Sequence, residues 1–232
     1  MLLYDSFSIR HLRVEVLLYP PSEDRFPEGV LSRLYASLNA DDMFDDCALR
    51  QRLGAIFEGE RLTYDIETRR IRMHFRNFGT IQESKENLNH LLGATKKVLN
   101  EAGMRFLYLT DEVEIWGLVP PEKDSIDVAT SLRSKAMKVT QPHLDKLPGQ
   151  VISAGLTIHG HAPEEANYTY DVTIAPYGHV AKGGSLYLDA ELNFGFPPEP
   201  PEEDVTLVVD AVQTTYDFIN TELIDFAQSL MP

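Results

Sequence analysis

Residues 59–103 read GERLTYDIETRRIRMHFRNFGTIQESKENLNHLLGATKKVLNEAG, and two different periods meet in that stretch. Leu62, Tyr64 and Ile66 alternate with Thr63, Asp65 and Glu67. After a short polar turn, Ile71, Met73 and Phe75 alternate with Arg70, Arg72, His74 and Arg76. A period of two belongs to half-buried strands, so the segment predicts a hairpin with one apolar and one polar face. From Ser84 the period becomes helical. Leu88, Leu91, Leu92, Thr95, Val98 and Leu99 share one face, Ser84 stands at the expected start, and Gly103 sits where a left-handed C-terminal cap is wanted. A hairpin followed by a long helix, without strict strand–helix alternation, predicts an α+β protein built on antiparallel strands.

Working outward, residues 11–19 alternate as a strand stopped by Pro20 and Pro21, and Val30, Leu31, Leu34, Tyr35 and Leu38 form a helical stripe behind Pro27. Asp41, Asp42, Asp45 and Asp46 read as an acidic loop around Cys47. Residues 105–118 form a long strand containing the only tryptophan, Trp116, and ended by Pro120 and Pro121. Ser125 is the expected cap of a shorter helix carrying Ile126, Val128, Ala129, Leu132 and Ala136. Three further strands, 151–161, 168–174 and 185–194, follow as a meander. The proline-rich spacer FPPEPPEE (196–203) then leads to a helical stripe over 205–230, with a kink or restart expected at Asn220–Thr221. The expectation is two antiparallel-sheet halves, each covered by a long helix: residues 1–138, a connector at 139–150, and 151–232. The shared layout points to an old duplication.

The 232 residues include 36 acids against 21 Lys and Arg, for a formal charge of -15, with a mean hydropathy of -0.22. Residues 147–232 hold 13 acids and one base, Lys182, leaving 23 acids and 20 bases for residues 1–146. An acidic field repels phosphate backbones, so direct nucleic-acid binding by the C-terminal segment is not expected. No apolar run is long enough to span a bilayer, and no leader is read at the start, so a cytoplasmic protein without a membrane partner is expected. The single cysteine excludes an intramolecular disulfide and a four-thiolate metal site.

The order LRVEVLL (12–18), GERLTYDIETRRIRMHFR (59–76), FLYLTDEVEIWGLVPP (106–121), LYLDAELNF (186–194) and INTELIDFAQSL (219–230) resembles an uncharacterised family of stand-alone bacterial proteins of this size. The resemblance implies two strand/helix halves. It carries no catalytic residues, because none is established for that family.

Four sets of residues carry candidate chemistry. His159 and His161, two apart on a predicted strand, point to one face and suit a shared metal ion. Asp189 and Glu191 share a face of another strand and would complete the site if the two strands were neighbours. Arg70, Arg72, His74 and Arg76 make a basic row suited to docking an acidic group, unless Asp65, Glu67, Glu112 and Glu114 pair with it. Cys47, among aspartates, is a poor nucleophile. Residues 181–185 (AKGGS) lack P-loop spacing and read as a turn, and no nucleophile elbow or dinucleotide fingerprint is present.

These observations point to a non-enzymatic interaction protein with no catalytic residue and no cofactor. It would dock a protein partner, or a second copy of itself, through the acidic C-terminal surface or the basic row. The alternative is a small-molecule-binding or metal-assisted enzyme using a cleft between helix and sheet. A third reading is an acidic mimic of DNA.

Overall fold

The computed structural model describes residues 2–20, 25–40, 42–76, 79–121, 127–138, 154–177, 184–196 and 204–230. Alternating apolar residues build strands β1 (Ser8–Tyr19), β4 (Leu62–Glu67), β5 (Arg70–Arg76), β6 (Leu107–Val119), β7 (Leu156–His161), β8 (Tyr168–Tyr177) and β9 (Ser185–Phe194). Two short strands, β2 (Asp46–Leu49) and β3 (Gly54–Glu58), stand at the end of the expected acidic loop around Cys47 and beyond it. Helices α1 (Val30–Leu38), α2 (Ile81–Glu101) and the single turn α3 (Val128–Ser131) follow the helical stripes. After them come α4 (Asp204–Phe218), a π-helical segment Ile219–Leu223, and α5 (Ile224–Leu230). The fold is α+β, and among the described residues the nine strands form one antiparallel sheet in the order β2-β3-β4-β5-β1-β6-β9-β8-β7.

The compact units of the chain are not its linear halves. One unit comprises Met1–Arg10, Ile115–Leu192 and Thr215–Pro232; the other comprises His11–Glu114 and Asn193–Thr214. The division cuts β1, β6, β9 and α4, of 12, 13, 10 and 15 residues. The expected connector at 139–150, and all but Phe196 of the proline-rich spacer, lie outside the described residues.

In the His11–Glu114 unit the hairpin reading holds in detail. Leu62 faces Phe75, Tyr64 faces Met73 and Ile66 faces Ile71, while on the other side Met73 faces Val14 and Ile71 faces Val16. All of these inner side chains are buried. They meet the apolar faces of α1 and α2, where the Tyr64 hydroxyl and Thr95 Oγ1 share a buried hydrogen bond of 2.7 Å.

The start of α2 differs from expectation. Thr80, not Ser84, is the N-cap: Glu83 N–H donates to Thr80 Oγ1 at 3.1 Å, and Gly79 N–H donates back to Glu83 Oε2 at 3.3 Å. This is close to a capping box. Ser84 is instead fully buried on the inner face.

Strand β6 changes phase midway. Tyr108 is buried, and so are Val113, Ile115, Gly117 and Val119, which an unbroken alternation from Tyr108 would put on the opposite face. One extra residue is therefore accommodated between Tyr108 and Val113, the signature of a bulge. Leu107 and Leu109 give way to Tyr108 because that residue has buried polar partners. Its hydroxyl donates to Leu92 O at 2.8 Å and its N–H donates to Asp204 Oδ2 at 2.7 Å. Asp204, at the start of α4, is 1% exposed; it also accepts from Val205 N–H at 3.0 Å and from Lys96 Nζ. The Lys96 ammonium lies 5.8 Å from the centre of the Tyr108 ring.

Replacing Asp204 with alanine strands the buried Tyr108 N–H and removes the acceptor of Lys96. The expected loss is about 3 kcal/mol in urea unfolding, against about 1 kcal/mol for Thr80→Ala, which removes only a cap. Equal losses for the two variants would contradict the role given to Asp204.

Candidate functional site

The basic row on β5 is embedded in a lattice of opposite charge. In register, Arg72 stands between Glu15 of β1 and Asp65 of β4. Its guanidinium reaches Glu15 at 2.9 Å and Asp65 at 3.8 Å. Arg70 reaches Glu67 at 3.0 Å and Glu15 at 3.3 Å, and Arg50 reaches Glu67 at 3.2 Å and Asp65 at 3.4 Å. Arg13 pairs with Glu112 and, at 3.1 Å, with Glu114, while Arg76 donates to Thr63 Oγ1 at 3.5 Å. Burial pushes Asp65 up against the pull of Arg50, and burial followed by the Glu15 carboxylate pushes Asp111 up. Opposite charges on adjacent strands neutralise one another here, so Arg70 and Arg72 present little uncompensated charge to an acidic group.

His74 lies on this face with its ring centre 5.7 Å from that of His11. Burial, then the neighbouring His74, Arg13 and Arg76 charges, lower His11 to about 4, and burial with Arg13 and Arg76 lowers His74. Two half-buried imidazoles side by side are thus held neutral.

In the other unit, the expected metal quartet does not assemble. β8 lies between β7 and β9, so the condition that the His159–His161 and Asp189–Glu191 strands be neighbours is not met. Two strand spacings amount to roughly 9–10 Å, far beyond the span of ligands on one ion. His159 pairs with Asp171, its register partner on β8, and Asp189 accepts from the Tyr187 hydroxyl at 3.0 Å. The glycine between the histidines has a separate cause. A Cβ at Gly160 would stand 2.3 Å from Cζ of Tyr170, which faces it in register, so the Tyr170 ring lies over β7 where a side chain would otherwise be.

That ring forms part of a cavity of about 550 Å³ between the β7–β8 hairpin and the C-terminal helical segments. Ile158, Tyr168, Tyr170 and Val172 form its sheet wall, with His161, Ala162 and Pro163 at the strand end. Phe218, Glu222, Leu223 and Phe226 form the opposite wall. The Phe218 ring sits 5.2 Å from Tyr170 and 6.4 Å from Tyr168. The π segment explains how four residues of one helical run reach one wall. Phe218, Glu222 and Phe226 follow an α-helical stripe, and the wider π turn brings Leu223, five residues after Phe218, onto the same side. The expected kink at Asn220–Thr221 is this segment; Asn220 Nδ2 donates to Tyr216 O and Thr221 Oγ1 to Asp217 O, each at 2.8 Å.

The cavity is open on one side: His161, Pro163, Glu222 and Phe226 are exposed, while Val172 and Leu223 are buried at its base. Among the described residues that line it, Glu222 is the one carboxylate, and there is no lysine or arginine. Sequence reading placed His161 but not the cavity, because the aromatic residues come from separate segments whose register is a tertiary property.

Cys47 lies on β2 opposite Phe57, and burial, followed by Asp46, raises its thiol pKa. Residues 181–183 of the glycine loop lie outside the described residues. Among the described residues no helix is long and apolar enough to cross a membrane. No family model matches the chain, and no curated protein matches it.

The depressed His11 pKa makes stability depend on pH. Above the ordinary value of 6.5 both folded and unfolded states are neutral at this residue, whereas below it the unfolded chain takes a proton that the folded one refuses until about pH 4. Stability is therefore expected to fall as pH drops from 7.5 to 5.5, and the fall should be smaller in His11→Gln. Identical urea midpoints for the unsubstituted protein at the two pH values would contradict this.

Proposed function

We propose that the protein is a non-catalytic docking module whose β7–β8 cavity receives one large apolar side chain of a protein partner, with basic residues of that partner beside it. The single observation that carries this reading is the cavity itself: lined by aromatic and aliphatic side chains, open at its mouth, and with Glu222 as the one carboxylate and no lysine or arginine among its described lining residues. A small-molecule site encloses most of its ligand's surface. Here Phe226, 36% exposed, Glu222 and Pro163 stand at an open rim, which suits a side chain presented by a larger body. The acidic C-terminal third supplies a long-range field that favours a basic partner and speeds its encounter. The neutralised lattice around Arg70 and Arg72 favours docking at the cavity over docking at the basic row.

A defined probe tests the reading. A labelled peptide KTKTFTKTK, in which lysine and threonine alternate around one phenylalanine, is titrated into the full chain by fluorescence polarisation and by amide NMR. Saturable binding is expected, with shifts concentrated at Tyr170, Val172, Phe218 and Leu223. Exchanging the peptide phenylalanine for alanine should weaken binding about tenfold or more, the worth of one buried aromatic side chain. Phe226→Ala, at an exposed position, should weaken it without unfolding the protein. Binding that is indifferent to the phenylalanine, or shifts confined to the Arg70–Arg76 face, would overturn the proposal.

A further inference from the structure

We infer that the partner segment binds as an added strand along the open edge of β7, its backbone pairing with β7 while alternate side chains face the cavity. This inference rests on the docking reading above and specifies its geometry. β7 ends the strand order, and among the described residues β8 is its one strand neighbour. The six residues Leu156–His161 extend for about 20 Å, enough to pair with a peptide of five or six residues.

Exposed edges are ordinarily blunted by lysine, proline or a bulge. The β7 sequence LTIHGH has neither lysine nor proline, and its pairing with β8 runs without interruption from Leu156↔Ile174 to His161↔Thr169.

The side-chain pattern of β7 fits a guest strand. Leu156, Ile158 and Gly160 occupy one face and Thr157, His159 and His161 the other, and Ile158 belongs to the cavity lining. At Gly160 the missing side chain opens a notch, filled from behind by the Tyr170 ring leaning across from β8. A guest residue opposite Gly160 would therefore meet the phenol directly. Residues two positions away on the guest fall on the same face, toward the wall that carries Glu222. That carboxylate, within the acidic C-terminal third, selects lysine or arginine at those positions. The expected occupant is an extended segment with a large apolar residue flanked at two-residue spacing by basic ones, the pairing mode in which main-chain bonds supply affinity and pockets supply choice.

Backbone N-methylation separates this geometry from anchoring alone. Two forms of KTKTFTKTK are compared, one methylated at the amides of its even positions and one at those of its odd positions. Alternate amides of a strand point to opposite sides, so one form should bind the full chain about tenfold or more weakly and the other should bind much as the parent does. Hydrogen exchange at β7 amides should slow with the parent peptide.

If both methylated forms bind like the parent while the alanine-for-phenylalanine peptide loses affinity, the cavity reading stands and strand addition is overturned. Equal weakening of both forms overturns it as well. If the alanine peptide binds as well as the parent, the docking reading fails, and this inference fails with it.

Discussion

A single buried carboxylate ties together β6, α2 and the start of α4. Asp204 accepts the Tyr108 N–H at the start of β6, the Lys96 ammonium from α2, and the Val205 N–H of its own helix. A carboxylate 1% exposed is tolerable only with such a set of donors, and their positions in turn determine where α4 begins. The same demand explains β6. Tyr108 turns inward, where its hydroxyl finds an acceptor in Leu92 O of α2 and its amide meets Asp204, and the strand absorbs the phase error before Val113. The polar residues Asp111, Glu112 and Glu114 then share a face with Glu15 and Arg13, which is why that face is a charge lattice and not an apolar seam.

The helical run that starts at Asp204 continues into the wall of the cavity. Its π segment changes the period at the point where Phe218, Glu222, Leu223 and Phe226 must converge. π-helical turns of this kind are common where a helix shapes a site. Together with the Tyr170 ring lying across Gly160, it produces an aromatic recess beside an edge strand in the most acidic part of the chain.

Much of this was legible from residue patterns. The periods of β1, β4, β5 and α2 are strong because each buries one face, and Asp65 and Glu67 could be matched to the Arg70–Arg76 row before any register was known, whereas Glu112 and Glu114 pair with Arg13 and the row's further partner is Glu15. What was not legible depends on partners distant in sequence. Ser84 looked like a cap, but burial claims it for the inner face and leaves capping to Thr80. The histidines of HGH do share a strand face, yet strand order, which no period encodes, puts β8 between them and Asp189. Gly160 stands between the two histidines, and the Tyr170 register gives its reason. The compact units do not follow the linear order of the chain, and β1, β6, β9 and α4 each contribute residues to both.

The most direct test of the account replaces Phe226 with a photo-crosslinking phenylalanine analogue in the full chain, expressed in its native host, and maps the crosslinked residue on whatever is captured. The account predicts crosslinks to one protein segment, at or beside a large apolar residue with lysine or arginine two positions away. The same crosslinker at Arg76 should capture nothing from that segment. Crosslinks to the segment from Arg76 but not from Phe226, or to residues without a neighbouring base, would contradict it.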